Sequence, residues 1–284
     1  MKGTINERDV EHIQLRFVDC HLHLADETYR GKIPQIIEAS GRVGVIALIV
    51  NSENLETSLT TLKLSDQHPH RIYPAIGIQP WYATKVGEEE VNAISGLITQ
   101  NVERLMAVGE IGLDRKYVKS ADEKRLQEKI FEAMLDVAEQ AHLPAIIHSG
   151  QSAVEVLNRV ANRDLASVVM HWYSGPTDLI KEFTSKGYYI SFGPAICYAK
   201  HIQEIAELTP LDAILTETDG PVRYRGPFSN KETTPELLPI VVQKLAELKE
   251  IEVIAMADQI IENNINAFPK LAHCLKGSVN PSEL

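Results

Sequence analysis

The chain has 284 residues, of which 44% are hydrophobic and 24% are charged, and its formal net charge is −11. This composition is typical of a soluble globular protein. Because no apolar run reaches the roughly 20 residues that cross a bilayer, we expect neither a membrane span nor a membrane partner. The acidic balance excludes a broad basic surface that binds nucleic acid through many phosphates, so any such contact should be confined to a small site.

The N-terminal residues and the cysteines indicate the compartment. Residues 1–16 are polar and mixed in charge and lack the apolar centre of a secretory signal, which predicts a cytoplasmic location. The three cysteines, Cys20, Cys197 and Cys274, are far apart and form no CxxC pair. We therefore expect reduced thiols rather than a disulfide framework or a cysteine-ligated zinc.

Short runs with strand character recur along the chain, and most are continuously apolar, as parallel strands covered on both faces are. They cover residues 16–23, 43–50, 73–78, 106–111, 144–149, 167–172, 188–192 and 214–219. The segments between them have helical spacing. The clearest is 124–141, which Ser120 and Glu123 precede in the pattern of a capping box. Pro235 and the run 251–268 indicate two further helices.

Strands that alternate with helices about every 30 residues, eight times over, predict a TIM (β/α)8 barrel in a single domain. The alternative is an open doubly wound sheet, which should carry a glycine-rich phosphate turn after its first strand. Here that strand ends in His21-Leu22-His23 instead. We expect the barrel to occupy residues 16–270, with an N-terminal extension at 1–15 and a C-terminal tail at 271–284.

Polar side chains fall at the carboxyl ends of the predicted strands, where this fold carries its catalytic groups. His21 and His23 are two residues apart on strand one, so their side chains point the same way, as in a metal chelate. Glu110 lies in an apolar strand between two glycines, where a carboxylate is costly unless it is paired or bound to metal. The alternatives are a hydrogen-bonded histidine pair and an ion pair of Glu110 with Arg115.

Three later strands each end in one possible metal ligand. His148 ends strand five, His171 ends strand six and Asp219 ends strand eight. Singly, these residues could be core histidines and a loop-starting aspartate. Four histidines and two carboxylates are too many for one tetrahedral zinc, and they suit two metals that share a bridging carboxylate. The other histidines should be solvated; they are His12, His68, His70, His142, His201 and His273.

The order of these motifs is specific. The motifs are Asp19-x-His21-x-His23, Val108-Gly109-Glu110-Ile111-Gly112-Leu113-Asp114, Ile147-His148-Ser149, Met170-His171-Trp172-Tyr173-Ser174-Gly175 and Glu217-Thr218-Asp219-x-Pro221. Over residues 16–268 the chain resembles the TatD family of metal-dependent hydrolases, many of them deoxyribonucleases, within the amidohydrolase superfamily. The resemblance implies that His21, His23 and Asp219 hold one metal and that His148 and His171 hold the other. It further implies that Glu110 bridges both metals and that Asp219 orients or deprotonates the attacking water.

The sequence departs from the family where substrate would bind. The family usually has Gly-x-His-Pro after strand three, whereas this chain has Gly77-Ile78-Gln79-Pro80. Gln79 can hydrogen-bond a phosphate or sugar but cannot act as an acid. The loop after Asp219 offers Arg223 and Arg225 to phosphate oxygens, unless they are solvated loop residues. Aromatic residues that could stack on bases or pack at the rim are Trp81, Tyr82, Trp172 and Tyr173.

We predict a hydrolase that uses two divalent metal ions to cleave phosphodiester bonds at DNA or RNA ends. Zinc, manganese or magnesium could fill the site, and histidine ligands favour the first two. The alternatives are a two-metal hydrolase of a small-molecule C–N, lactone or phosphoester bond, and a metal-binding scaffold without activity. Glu110 favours the nuclease, because many two-metal hydrolases of small molecules bridge their metals with a carbamylated lysine instead of a glutamate. Gln79 and the acidic surface favour the second reading.

Overall fold

A computed structural model describes residues 15–276 and contains eight parallel strands that pair in chain order. The predicted (β/α)8 barrel is confirmed, and every predicted strand is present within a few residues of its expected ends. The strands are β1 (Phe17–Leu22), β2 (Val45–Asn51), β3 (Ile72–Ile76), β4 (Ala107–Asp114), β5 (Ala145–Gly150), β6 (Val168–Met170), β7 (Tyr189–Phe192) and β8 (Ile214–Thr216).

Helices follow the strands and cover the outside of the barrel. They are α1 (Ile33–Arg42), α2 (Leu55–Gln67), α3 (Glu88–Gln100), α4 (Ala121–Gln140), α5 (Ala153–Val160), α6 (Ile180–Ser185), α7 (Lys200–Leu208), α8 (Leu238–Lys249), α9 (Val253–Ala267) and α10 (Leu271–Lys276). Among them and the rest of the described chain, none combines the length and apolar character that a bilayer crossing needs.

The capping box predicted for the longest helix is present. Ser120 Oγ accepts a hydrogen bond from the Glu123 backbone N–H at 3.1 Å, and Glu123 Oε2 accepts one from the Ser120 N–H at 2.9 Å. The helix therefore begins at Ala121, three residues before the predicted start. Pro235 opens a short 3-10 helix (Pro235–Leu237) that leads into α8 rather than the α-helix itself.

The barrel interior is apolar at one end and polar at the other. Alternate residues of the strands, such as Val18 and Cys20 in β1, form a buried cluster with Phe268 and Leu271 from the C-terminal helices. These two residues close the amino end of the barrel, so Leu271 packs with the barrel although we assigned it to the tail. The proposed extension at 1–15, apart from its last residue, and tail residues 277–284 lie outside the described residues.

The seam between β1 and β8 is closed largely by the segment that follows β8. The Asp219 N–H donates to the His21 carbonyl at 2.9 Å, and the His23 N–H donates to the Gly220 carbonyl at 2.8 Å. The fully buried Asp19 carboxylate accepts hydrogen bonds from the Thr218 N–H at 3.0 Å and the Thr218 hydroxyl at 2.5 Å. Burial raises the pKa of Asp19 to about 8 even though these donors oppose the rise.

Candidate metal centre

The imidazoles of His21 in β1 and of His23 just after it meet the Asp219 carboxylate from the loop after β8. The Nε2 atoms of His21 and His23 lie 3.1 Å apart, and both lie within 3.5 Å of Asp219 Oδ1. Asp219 adopts a φ of 50°, a left-handed conformation that aspartate tolerates better than most residues. All three side chains are at least 94% buried. The period-2 argument for the histidine pair correctly predicted this convergence.

Glu110 lies between this group and the two later histidines. Its Oε2 is 3.4 Å from His23 Nε2, whereas its Oε1 is 3.0 Å from His148 Nδ1 and 3.7 Å from His171 Nε2. Arg115 instead forms ion pairs with Glu128 and Glu155, so the alternative of a Glu110–Arg115 pair is wrong.

The glycines beside Glu110 are required by close contacts. A Cβ on Gly109 would lie 2.7 Å from Asn51 Oδ1 and 2.8 Å from Ile146 Cβ. Gly112 has a φ of 142°, and a Cβ there would lie 2.1 Å from the His148 carbonyl oxygen. The same stretch carries a register shift against β5. These contacts bring β4 close to β5, which carries His148.

The donor set fits divalent cations. Three groups have ligand atoms that lie within 4.8 Å of one another; they are His21–His171–Asp219, His21–His23–Glu110 and Glu110–His148–His171. Two nitrogens bound at about 2.0–2.1 Å to one tetrahedral ion lie roughly 3.3 Å apart, close to the spacing of the two Nε2 atoms above. Glu110 Oε1 is buried without a well-formed hydrogen bond, which leaves it available as a ligand.

The clustered histidines and carboxylates shift one another's pKa values. Burial alone would raise the pKa of Glu110, but His148 and His23 hold it well below its ordinary value. Burial alone would lower the pKa of His23, but Asp219 and Glu110 raise it well above that of free histidine. Burial and the neighbouring His171 lower the pKa of His21. The ionised carboxylates are therefore stabilised by positive charge at the centre, which bound cations can supply.

Three of the four clustered histidines have their outer nitrogen held by a second group. His171 Nδ1 is 3.0 Å from Glu217 Oε2, and His23 Nδ1 is 3.1 Å from the Asn51 carbonyl oxygen. His148 Nε2 is 2.9 Å from Asp114 Oδ2. Such contacts fix the ring orientation and the tautomer of a metal-binding histidine.

Sequence reasoning missed two of these outer partners. Asp114 could have been found, because positions 110, 112 and 114 share one face of a strand. The Asn51 carbonyl carries no signal in the sequence, since any residue supplies one. Glu217 was identified only as part of the motif at the end of strand eight, and its contact with His171 was not foreseen.

A cavity of about 710 Å³ lies over the ligand cluster. Five of the substrate-binding candidates line it: Gln79, Trp81, Trp172, Arg223 and Arg225. Sequence reasoning did not single out Asp26, Glu53, Lys116 and Tyr117, which also line it from loops without periodic patterning. Gln79 Nε2 donates to Glu110 Oε2 at 2.8 Å, so this glutamine contacts the central carboxylate directly.

Tyr173 is buried away from the cavity, which corrects the expectation that it faces substrate. Its ring packs edge-on against Phe183 with centroids 5.3 Å apart, and its hydroxyl donates to the Pro176 carbonyl at 2.6 Å. Tyr82 lines a separate cavity of about 310 Å³. Of the histidines expected at the surface, His68 is half-buried and the rest are exposed, apart from His12, which lies outside the described range; those exposed are His70, His142, His201 and His273.

Known proteins are similar to this chain in sequence and fold. Residues 18–269 match the model of the TatD related DNase family. An uncharacterized metal-dependent hydrolase of Methanocaldococcus jannaschii is 28% identical over 256 residues, which cover 90% of this chain and 98% of the relative. The human deoxyribonuclease TATDN3 is 25% identical over 267 residues, covering 91% and 97% of the two chains.

A solved structure agrees with these relatives. The crystal structure of YjjV, a TatD homolog from Escherichia coli K12, superposes with a TM-score of 0.84 at 25% identity, covering 90% of this chain and 99% of that one. The match of the family model to most of the chain, together with the ligand cluster at the barrel mouth, leads to one conclusion. This chain belongs to the TatD-related DNase family.

Proposed function

We propose that this protein is a two-metal hydrolase that cleaves phosphodiester bonds at the ends of DNA or RNA. The observation that carries the proposal is the position of Glu110, whose two carboxylate oxygens face different histidine pairs. Oε2 faces His21 and His23, at 3.9 and 3.4 Å, and Oε1 faces His148 and His171, at 3.0 and 3.7 Å. A carboxylate in this position suits a bridge between two cations.

The proposed ligand sets divide around that bridge. His21, His23 and Asp219 would hold one ion, His148 and His171 the other, and Glu110 both. When bound, divalent cations lower the pKa of a water toward about 7 and offset the charge that develops on phosphate oxygens. Asp219 is held as a carboxylate, because its histidine neighbours overcome burial and lower its pKa. As a carboxylate it can accept a hydrogen bond from the attacking water and so orient it.

The rest of the cavity offers the groups that a nucleotide needs. Lys116, Arg223 and Arg225 are exposed cations at the rim, suited to non-bridging phosphate oxygens. Trp81 and Tyr117 lie with ring centroids 5.0 Å apart and form an aromatic edge. Base stacking on such a surface is worth about 1–3 kcal/mol per base. The names of the human relative and of the family support the choice of nucleic acid.

A second candidate is hydrolysis of a small phosphoester or amide by the same centre. The observation in its favour is the acidity of one side of the cavity, where Asp26 and Glu53 would repel a long polyanion. The zinc, manganese and magnesium forms of the protein should be assayed separately for either reaction, because the histidine ligands favour zinc and manganese without excluding magnesium.

Digestion of end-labelled single-stranded DNA tests the proposal. The metal-loaded wild type should shorten the label stepwise, and both chelator and Glu110→Ala should abolish the ladder. Glu103→Ala is the matched control, because it removes an exposed carboxylate from the loop before β4, at the opposite end of the barrel. Metal content per chain, measured by mass spectrometry, should be two in the wild type and lower in Glu110→Ala. A metal-loaded wild type that leaves DNA and RNA intact would contradict the nuclease and favour the small-molecule reaction.

A further inference from the structure

Charge is distributed unevenly around the rim of the large cavity. Because the strands follow chain order around the barrel, the loop after each strand occupies its own sector of the rim. Asp26 follows β1 and Glu53 follows β2, and we call this pair the acidic wall. Lys116 follows β4, whereas Arg223 and Arg225 follow β8. Apart from the proposed ligands, the cavity has one further carboxylate, Asp114 of β4, which His148 and Trp81 contact at 2.9 and 3.0 Å.

The acidic wall is not neutralised by the protein. Within residues 15–276, neither Asp26 nor Glu53 forms an ion pair with a basic side chain. Asp26 Oδ1 accepts a hydrogen bond from the Thr28 N–H at 2.7 Å, which leaves its other oxygen available. Glu53 is half-buried.

The wall is also held in place by backbone contacts. The Asp26 N–H donates to the carbonyl of the ligand residue His23 at 3.1 Å. The Glu53 carbonyl accepts from the Gln79 N–H at 3.0 Å, and the Glu53 N–H donates to Thr57 Oγ1 at 2.8 Å. The first and third of these bonds hold Asp26 and Glu53 within their own loops, and the second joins the loop after β2 to the loop after β3, so the backbone of the wall is held beside the proposed metal ligands.

A wall of this kind discriminates between the two sides of a scissile phosphate. A second phosphate on the side of Asp26 and Glu53 would face like charge at short range, which costs several kcal/mol. A hydroxyl there would instead donate a hydrogen bond to a carboxylate oxygen. The same two residues also line the neighbouring 310 Å³ cavity, so an uncharged group has room on that side.

We propose that Asp26 and Glu53 are specificity-determining residues that admit a hydroxyl-terminated end of the substrate and reject a phosphate-terminated one. The inference rests on the proposed nuclease function and deepens it. The rest of the nucleic-acid strand then leaves the cavity past the cations Lys116, Arg223 and Arg225. Internal phosphates on both sides of a bond are disfavoured, so cleavage starts at a chain end.

Four single-stranded DNA oligonucleotides of one sequence test this proposal. They carry hydroxyls at both ends, a phosphate at the 5′ end, a phosphate at the 3′ end, or phosphates at both. For the wild type, a phosphate at one end should lower kcat/KM by about tenfold or more, as like-charge repulsion predicts. Glu53→Gln and the double variant with Asp26→Asn should reduce this discrimination to about threefold or less.

Glu56→Gln is the matched control, because Glu56 lines only the smaller cavity and its side chain is exposed. It should discriminate like the wild type. A second readout is binding of the same oligonucleotides to metal-loaded Asp219→Asn protein, followed by fluorescence anisotropy. Their affinities should follow the same order, and adding Glu53→Gln should abolish the difference.

The outcomes separate the two proposals. Equal cleavage of all four oligonucleotides by the wild type would overturn the role of the wall and leave the nuclease intact. If the double variant still discriminates between hydroxyl-terminated and phosphate-terminated oligonucleotides, other residues cause the discrimination and the inference is wrong. If no oligonucleotide is cut while bis(p-nitrophenyl) phosphate is hydrolysed, the nuclease function itself is wrong and the inference falls with it.

Discussion

His171 Nδ1 lies 3.0 Å from Glu217 Oε2, and the same carboxylate oxygen accepts a hydrogen bond from Ser191 Oγ at 2.5 Å. Glu217 is fully buried at the end of β8, and it fixes His171 with Nε2 toward Glu110. A carboxylate in this position also increases the basicity of the ring. The orientation of one proposed ligand therefore depends on a residue that is not itself a proposed ligand.

Replacing Glu217 should weaken metal binding without removing a ligand. We expect Glu217→Ala to lower zinc affinity by about 10–100-fold, and Glu217→Gln to lower it less, because the amide oxygen still accepts from Nδ1. Isothermal titration of the chelator-treated proteins measures both. The exposed Glu207→Gln variant removes an equal charge elsewhere and should bind zinc like the wild type. Equal affinity in Glu217→Ala would show that His171 needs no outer partner.

Bound cations should raise thermal stability. An ion at 100 times its dissociation constant contributes about 2.7 kcal/mol, which corresponds to roughly 5–10 °C in Tm for a domain of this size. Scanning calorimetry with zinc, with manganese and with chelator measures the shift. Glu110→Ala should lose most of it because both proposed sites share that carboxylate. A wild-type Tm that does not respond to any of these ions would contradict the metal centre.

Gly112→Ala should destabilise the barrel. The new Cβ would lie 2.1 Å from the His148 carbonyl oxygen, and a φ of 142° is strained for alanine. Steric overlap and backbone strain together should cost about 2–5 kcal/mol in urea unfolding. Gly96→Ala is the control, because Gly96 lies within α3 and its added Cβ meets no atom within 4 Å. That variant should gain about 0.5–1 kcal/mol from helix propensity.

Trp172 and Tyr173 are adjacent in sequence and should respond to substitution in opposite ways. Trp172 lines the cavity, so Trp172→Leu should raise KM for DNA by roughly fivefold or more, as the loss of one stacked base predicts. Tyr173→Phe should leave KM unchanged and lower stability by about 1 kcal/mol, since the Pro176 carbonyl loses its donor. A KM effect of Tyr173→Phe alone would contradict its buried placement.

The contrast between these two aromatics shows how far the sequence could predict the site. Strand periodicity placed His21 and His23 on one face, and the strand-end rule of the barrel brought them together with Glu110. Beyond the strand end the alternation fails. Trp172 adopts a φ of 36°, so the chain turns out of β6 and the next side chain points into the core. Tyr173 therefore could not be assigned from spacing.

The loop residues that line the cavity likewise could not be predicted from the sequence. Asp26, Glu53 and Lys116 reach the cavity from irregular segments, where neither a period nor a hydrophobic face indicates direction. Gln79 was identified as a departure from the family pattern, but its hydrogen bond to Glu110 depends on the path of the chain after β3. Backbone acceptors such as the Asn51 carbonyl have no residue-specific signature at all.

The closure between the first strand and the segment after the last one has a consequence for synthesis. Asp219 reaches His21 only through hydrogen bonds that span almost 200 positions of the chain. A ribosome-bound polypeptide that still lacks its final third therefore cannot assemble a complete ligand set. We expect such a nascent chain not to cleave nucleic acid, including the mRNA being translated, until the segment after β8 has paired with β1.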